Sequence, residues 1–158
     1  MDKIILGADP YGMDLKNAIK EHLEKKGYQI IDIGTSDKDK PVDYYKVSEI
    51  AAKKIQADEA SKAVLFCGTG MGVAIVANKF KGIHASVVES EFTAKLCKAI
   101  NRSNVLTMGQ MIVPEYRAKI AVDNWLETEH TEGFDEDLAS FLKASLEEIK
   151  EIEDKQFK

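Results

Sequence analysis

Ala63-Val64-Leu65-Phe66-Cys67-Gly68-Thr69-Gly70-Met71-Gly72 is the stretch that decides the fold. Four apolar residues in a row, from Ala63 to Phe66, predict a strand covered on both faces, because a half-exposed strand would alternate apolar and polar positions. Glycines at 68, 70 and 72 then allow a tight turn and a close approach of backbone amides to a ligand. Val73 to Asn78 continue as a predicted helix, whose positive N-terminal end faces the same space. A buried strand, a glycine turn and a helix make up the repeating half of a parallel α/β sheet.

The same alternation extends in both directions. Upstream, Lys3 to Ala8 reads as a short strand closed by Gly7 and the turn signal Asp9-Pro10. Leu15, Ile19 and Leu23 recur every fourth residue, which predicts an amphipathic helix ending at Gly27. Tyr28 to Ile33 is a second strand, Ser36 to Pro41 a charged loop, and Val47, Ile50, Ala51 and Ile55 a second helical stripe. Downstream, His84 to Val88 and Val105 to Met108 read as strands, and Phe92 to Ile100 and Arg117 to Leu126 as helices. The expected fold is therefore α/β: a doubly wound, Rossmann-like, five-stranded parallel sheet with helices on both faces. Residues 1–130 form this domain. Residues 131–158 form a C-terminal helical extension whose stripe (Leu138, Phe141, Leu142, Leu146, Ile149, Ile152) packs on the domain or docks on a partner subunit. In such sheets ligands bind beyond the carboxyl ends of the strands, where Asp9, Gly34, Cys67 and Gly109 fall.

Composition narrows the function class. With 158 residues, 44% hydrophobic and 31% charged, the chain suits one domain with a sizeable core. Its net charge of -5 argues against nucleic acid or a membrane surface as a partner, since both demand a basic footprint. The charged N-terminal stretch does not read as a signal peptide, and no run approaches the ~20 apolar residues that span a bilayer. A cytoplasmic, reduced chain is expected, with Cys67 and Cys97 as free thiols. Two cysteines and three histidines without ligand spacing predict no metal site. Cys97, Trp125, His22 and His130 read as packing or surface residues, and His84 as a strand cap or a solvent-facing residue.

Chemistry concentrates at the glycine loop. A cysteine at the mouth of an amide-lined turn stands where the thiolate is favoured, and the amides can hold a phosphate or a developing oxyanion. A nucleotide-binding reading fits less well, because no Walker lysine follows and the spacing is not G-x-G-x-x-G.

The Cys67 to Gly72 loop, Ala77-Asn78-Lys79, Lys81-Gly82-Ile83 and Glu91-Phe92-Thr93-Ala94 together resemble the ribose-5-phosphate isomerase B and galactose-6-phosphate isomerase family. Gly7-Ala8-Asp9, Val42-Asp43-Tyr44, and Asn101 with Asn104-Val105-Leu106 extend the likeness from about Lys3 to Leu126. The resemblance implies an aldose–ketose isomerase of a small phosphorylated sugar, working through a cis-enediol without metal or organic cofactor. It implies Cys67 as the base, with Thr69 and the amides of Gly68, Gly70, Met71 and Gly72 at the enediolate oxygens. Asp9 would hold sugar hydroxyls or assist ring opening, Tyr44 would line the pocket, and Asn78 and Asn101 would position substrate oxygens. It further implies sites shared between subunits, hence a homodimer or homotetramer, or pairing with a paralogous chain.

Departures from the family pattern bear on the substrate. Pro10 and Ile100 stand where histidines are usual, and Met111 stands where an arginine is common. The arginine-rich tail that holds phosphate is replaced by Gly133-Phe134-Asp135-Glu136-Asp137-Leu138. Four readings follow. The substrate is open-chain and short, such as a tetrulose phosphate. Other cations hold its phosphate, with Arg102, Lys79 and Lys81 the nearest. A paralogous subunit supplies what is missing. Or the chain is a noncatalytic relative.

Overall fold

The apolar strands align as one parallel sheet in the computed structural model, which describes residues 3–157. Five strands, β1 (Lys3–Ala8), β2 (Gln29–Gly34), β3 (Lys62–Cys67), β4 (Ala85–Val87) and β5 (Val105–Gly109), lie in the order β2-β1-β3-β5-β4. Between them run α1 (Met13–Lys25), α2 (Tyr44–Gln56), α3 (Met71–Ala77) and α4 (Glu91–Asn101). After β5 come α5 (Glu115–Glu127) and α6 (Glu136–Gln156). Alternate strand residues point to opposite faces. Ile4, Leu6, Val64, Phe66, Leu106 and Met108 therefore join residues of α1, α4 and α5 in one core. Ile5, Ala63, Leu65, Cys67 and Val105 join residues of α2 and α3 in the other. This is the doubly wound α/β architecture expected from the sequence.

Sheet order creates the ligand site. The chain leaves β1 for β2 on one side and then crosses back to β3 on the other, so the loops after β1 and β3 diverge and open a crevice between them. Asp9 follows β1 and Cys67 ends β3, so both reach that crevice. Two buried polar devices hold its walls. Lys16, wholly buried on α1, donates to Asp32 Oδ1 at 2.5 Å and to Thr35 O at 2.9 Å, tying α1 to the end of β2. Thr107 Oγ1 donates to Gly70 O at 2.8 Å, fixing the glycine turn to β5.

Boundaries differ from the sequence reading where capping governs. Helix α4 begins at Glu91 because the Ser90 side chain accepts from Thr93 N. Strand β4 is only three residues long; His84 lies outside it, its amide donating to Asn104 Oδ1 at 2.8 Å. The acidic run at Asp135–Asp137 caps α6: Asp135 Oδ1 accepts from Leu138 N, and Glu136 and Asp137 occupy the first turn, where negative charge complements the helix dipole. Of the α6 stripe, Leu142 is buried, while Phe141 and Ile152 are exposed on the single chain. The far end of α6 is pinned to the α3–β4 loop, through Gly82 N donating to Glu153 Oε1 at 2.6 Å and a Lys81–Asp154 ion pair at 2.6 Å.

Candidate active site

Cys67 is the last residue of β3 and is 6% exposed. The chain turns sharply after it because Gly70 adopts φ +79°, a left-handed conformation costly for a residue with a side chain. That turn brings Gly70 N to 3.1 Å from Cys67 Sγ, donating to the sulfur. Met71 N donates to Thr69 Oγ1 at 3.2 Å. The amides of Gly68, Thr69 and Gly72 have no protein acceptor among the described residues, so they remain available to an oxygen in the cleft.

A cleft of about 310 Å³ opens over the sulfur, lined by Asp9, Tyr11, Tyr44, Cys67, Gly68, Thr69, Gly72 and Met111. Tyr44, the first residue of α2, lies against Gly72 so closely that a Cβ there would meet its ring at 2.9 Å. Met111 covers the loop from the opposite side, since a Cβ on Gly68 would lie 3.0 Å from its sulfur. Asp9 is 6% exposed, and Oδ1 accepts from Tyr11 N at 2.9 Å and Gly12 N at 3.1 Å. Burial pushes its carboxyl above the ordinary value; the two amide hydrogen bonds oppose that rise and the nearby Asp43 reinforces it. A thiol, a carboxyl whose pKa burial raises and free amides thus share one small, partly dry space. That set can move a proton beside a carbonyl and stabilise the resulting oxyanion.

The structure brings together Asp9, Tyr44, Cys67, Thr69 and the glycine turn, with Met71 half-exposed where the turn enters α3. It does not bring Asn78, Asn101 or Arg102 to the same cleft within one chain. Helices of this sheet run antiparallel to its strands, so their C-terminal residues return to the strands' amino ends. Asn78 caps α3 there and brackets β4, with Nδ2 donating to Ala85 O and Oδ1 accepting from Ala85 N. Asn101 ends α4 and Arg102 caps it. One cleft residue, Tyr11, and one residue outside the lining, Gln110, have no role in the sequence reading. Tyr11 lines the cleft because the Asp9 turn folds it back over the thiol, and its position just after Asp9-Pro10 was the available signal. Gln110 accepts from Leu15 N at 3.1 Å and ties the loop after β5 to α1, a tertiary contact that no local pattern reveals.

A model of the Ribose/Galactose Isomerase family matches residues 4–140. The 4-deoxy-4-sulfo-D-erythrose isomerase of Clostridium sp. (strain MSTE9) is 41% identical over 152 residues, covering 96% of each chain. Ribose-5-phosphate isomerase B of Escherichia coli (strain K12) is 38% identical, over 84% of this chain and 89% of its own. Among solved structures, ribose-5-phosphate isomerase B of Clostridium thermocellum superposes with a TM-score of 0.87 at 34% identity, covering 97% of this chain and 98% of its own. With its sheet order, its cysteine-headed glycine loop and these matches over nearly its whole length, the chain belongs to the ribose/galactose isomerase family.

Proposed function

We propose that this isomerase interconverts the aldose and ketose forms of a four-carbon sugar ending in an oxyanion, through a cis-enediol with Cys67 as the base. Cys67 removes the proton from the carbon beside the carbonyl and returns it to the neighbouring carbon. The amides of Gly68, Thr69 and Gly72 hold the enediolate oxygen. Asp9 accepts a hydrogen bond from the sugar hydroxyl whose proton passes to the carbonyl oxygen across the cis-enediol.

The observation that carries the substrate class is the cleft's lining: about 310 Å³ and, among its eight residues, no lysine, arginine or histidine. An aldotetrose whose C4 bears phosphate or sulfonate has no free hydroxyl with which to close a five-membered ring. It reaches the enzyme open, so no ring-opening group is needed, in keeping with Ile100 where the family usually has a histidine. A sulfonate carries a single charge, whereas a phosphate ester carries about -1.5 to -2 at neutral pH. A cleft without guanidinium forks and with Asp9 and Asp43 nearby favours the lower charge, in line with the sulfo-sugar named for the 41% identical relative.

A composite site is the second reading, favoured by the placement of Asn101 and Arg102 away from Cys67. In it the chain acts as a homodimer or homotetramer, or with a paralogous subunit. The extension at residues 131–158 docks on the partner, offering the exposed stripe of α6. The family match ends at residue 140, just inside α6, which supports treating that helix as an appended element.

Initial rates of the purified single chain on 4-deoxy-4-sulfo-erythrose, erythrose 4-phosphate and ribose 5-phosphate test the proposal. The sulfo-tetrose is expected to give the highest kcat/KM and ribose 5-phosphate the lowest. Ribose 5-phosphate turned over best would overturn the substrate class. Activity that appears only when a paralogous chain is added would favour the composite reading.

A further inference from the structure

A second cavity, of about 700 Å³, lies at the opposite end of the sheet, roofed by α6. Lys62 opens β3 on its wall, and the six residues of that strand set it roughly 17 Å from Cys67. Lys98 and Arg102 reach the cavity from the end of α4, and Lys150 from α6. None of these four cations has a carboxylate within ion-pair distance among the described residues, although acidic side chains are close by. Asp154 is spent on Lys81, and Glu153 on the Gly82 amide. Glu129 and Glu147 remain in the lining with carboxylates uncommitted to any lysine.

A further observation sets this cluster apart from a solvated surface. Lys98 is crowded: burial, then the neighbouring Lys62 and Arg102 charges, push its ammonium below the ordinary lysine value, with Glu129 only partly offsetting them. Its ammonium lies over Trp125, with Nζ 5.2 Å from the ring centroid, and Nζ donates to Ser103 O at 3.2 Å, so it is held in place. The dipole of α4 accounts for cations at its own end, but not for Lys62 or Lys150 arriving from other elements.

We propose that this cavity is an anion site for a small hydroxylated phosphate ester, separate from the Cys67 cleft. Lys62, Lys98, Arg102 and Lys150 would surround the phosphate oxygens, and Glu129 and Glu147 would accept hydrogen bonds from the hydroxyls. The volume suits a metabolite-sized ligand, and with Leu146 the one large apolar side chain in its lining, the cavity suits a polar one. This assignment does not rest on Cys67's role as the base, and it takes Arg102 for this cavity rather than for the composite site of the second reading.

Titration of inorganic phosphate into the full-length chain, followed by backbone amide NMR, tests the proposal. Saturable shifts are expected at Ser61, Gly82 and Asn104, with the same affinity in a Cys67→Ala variant. The Lys62→Gln/Lys98→Gln double variant should bind about tenfold or more weakly, as the loss of charge-assisted hydrogen bonds requires. Lys150→Gln, on solvent-exposed α6, should weaken binding in the same direction without touching the core. Shifts confined to Gly68–Gly72, no saturable shift, or unchanged affinity in both lysine variants would each overturn the proposal.

Discussion

Gly70 and Gly82 share φ +79° but differ in what surrounds them, which makes a paired substitution informative. A Cβ on Gly82 would meet nothing within 4 Å. A Cβ on Gly70 would lie 2.8 Å from Met108 C and 3.0 Å from Gly109 N, both backbone atoms of β5 that cannot rotate away. Gly82→Ala should therefore cost only the left-handed strain, about 1–2 kcal/mol. Gly70→Ala should cost that strain plus an overpacking penalty of roughly 1–3 kcal/mol. For a chain of this size the difference corresponds to roughly 2–12 °C in Tm. Thermal unfolding of the two variants, followed by circular dichroism, reads it directly. Displacement of the loop also moves the Gly70 amide that donates to Cys67 Sγ, so kcat should fall for Gly70→Ala and not for Gly82→Ala. Equal Tm losses in the two variants would refute the claim that the turn is wedged against β5.

The Lys16–Asp32 pair should respond asymmetrically. Asp32→Asn strands a wholly buried ammonium and should cost about 3–5 kcal/mol in chemical denaturation, whereas Lys16→Met removes the charge and should cost less; equal losses would argue against this account. Burial works against the Asp32 carboxylate, but the hydrogen bonds from Lys16 and Lys20 hold it below the ordinary value. Its stabilising contribution is therefore present above the unfolded value, near pH 4, and is lost as pH falls below that. Asp9 has the opposite sign. With its folded value raised, its contribution is complete below the unfolded value of 3.8 and is lost as pH rises through the folded one. Asp9→Asn should consequently gain stability over the parent as pH rises from 3 to 7, measured as Tm against pH; a gain concentrated at low pH would contradict the stated cause.

What was legible in the sequence was whatever local pattern controls. Continuous apolar runs such as Ala63–Phe66 marked strands buried on both faces, and Leu15, Ile19 and Leu23 marked the inner face of α1. Cys67 and its glycines announced themselves because a turn so tight admits few other residues. The family resemblance was legible in several short motifs in the right order. Less legible were features decided across the fold. The same acidic run that departs from the arginine-rich tail serves as cap and first turn of α6, a role visible only once the helix start is known. Asn78 carries a family signature, yet its side chain is committed to Ala85, because α3 returns it to the amino end of β4. Tyr11 reaches its place through the Asp9 turn and Gln110 through a tertiary contact with α1, and Lys16, inside a charged helical pattern, reads as a surface lysine until Asp32 and Thr35 are seen beside it.

The kcat of Cys67→Ala on the best substrate of the tetrose panel tests the central claim most directly. The side chain is small, and its truncation should cost of the order of 1 kcal/mol in stability, so the variant should fold. A positioned base contributes about 10²–10⁴-fold, and kcat should fall by at least 100-fold with Tm little changed. A folded Cys67→Ala variant that keeps more than a tenth of the parent kcat would contradict Cys67 as the base.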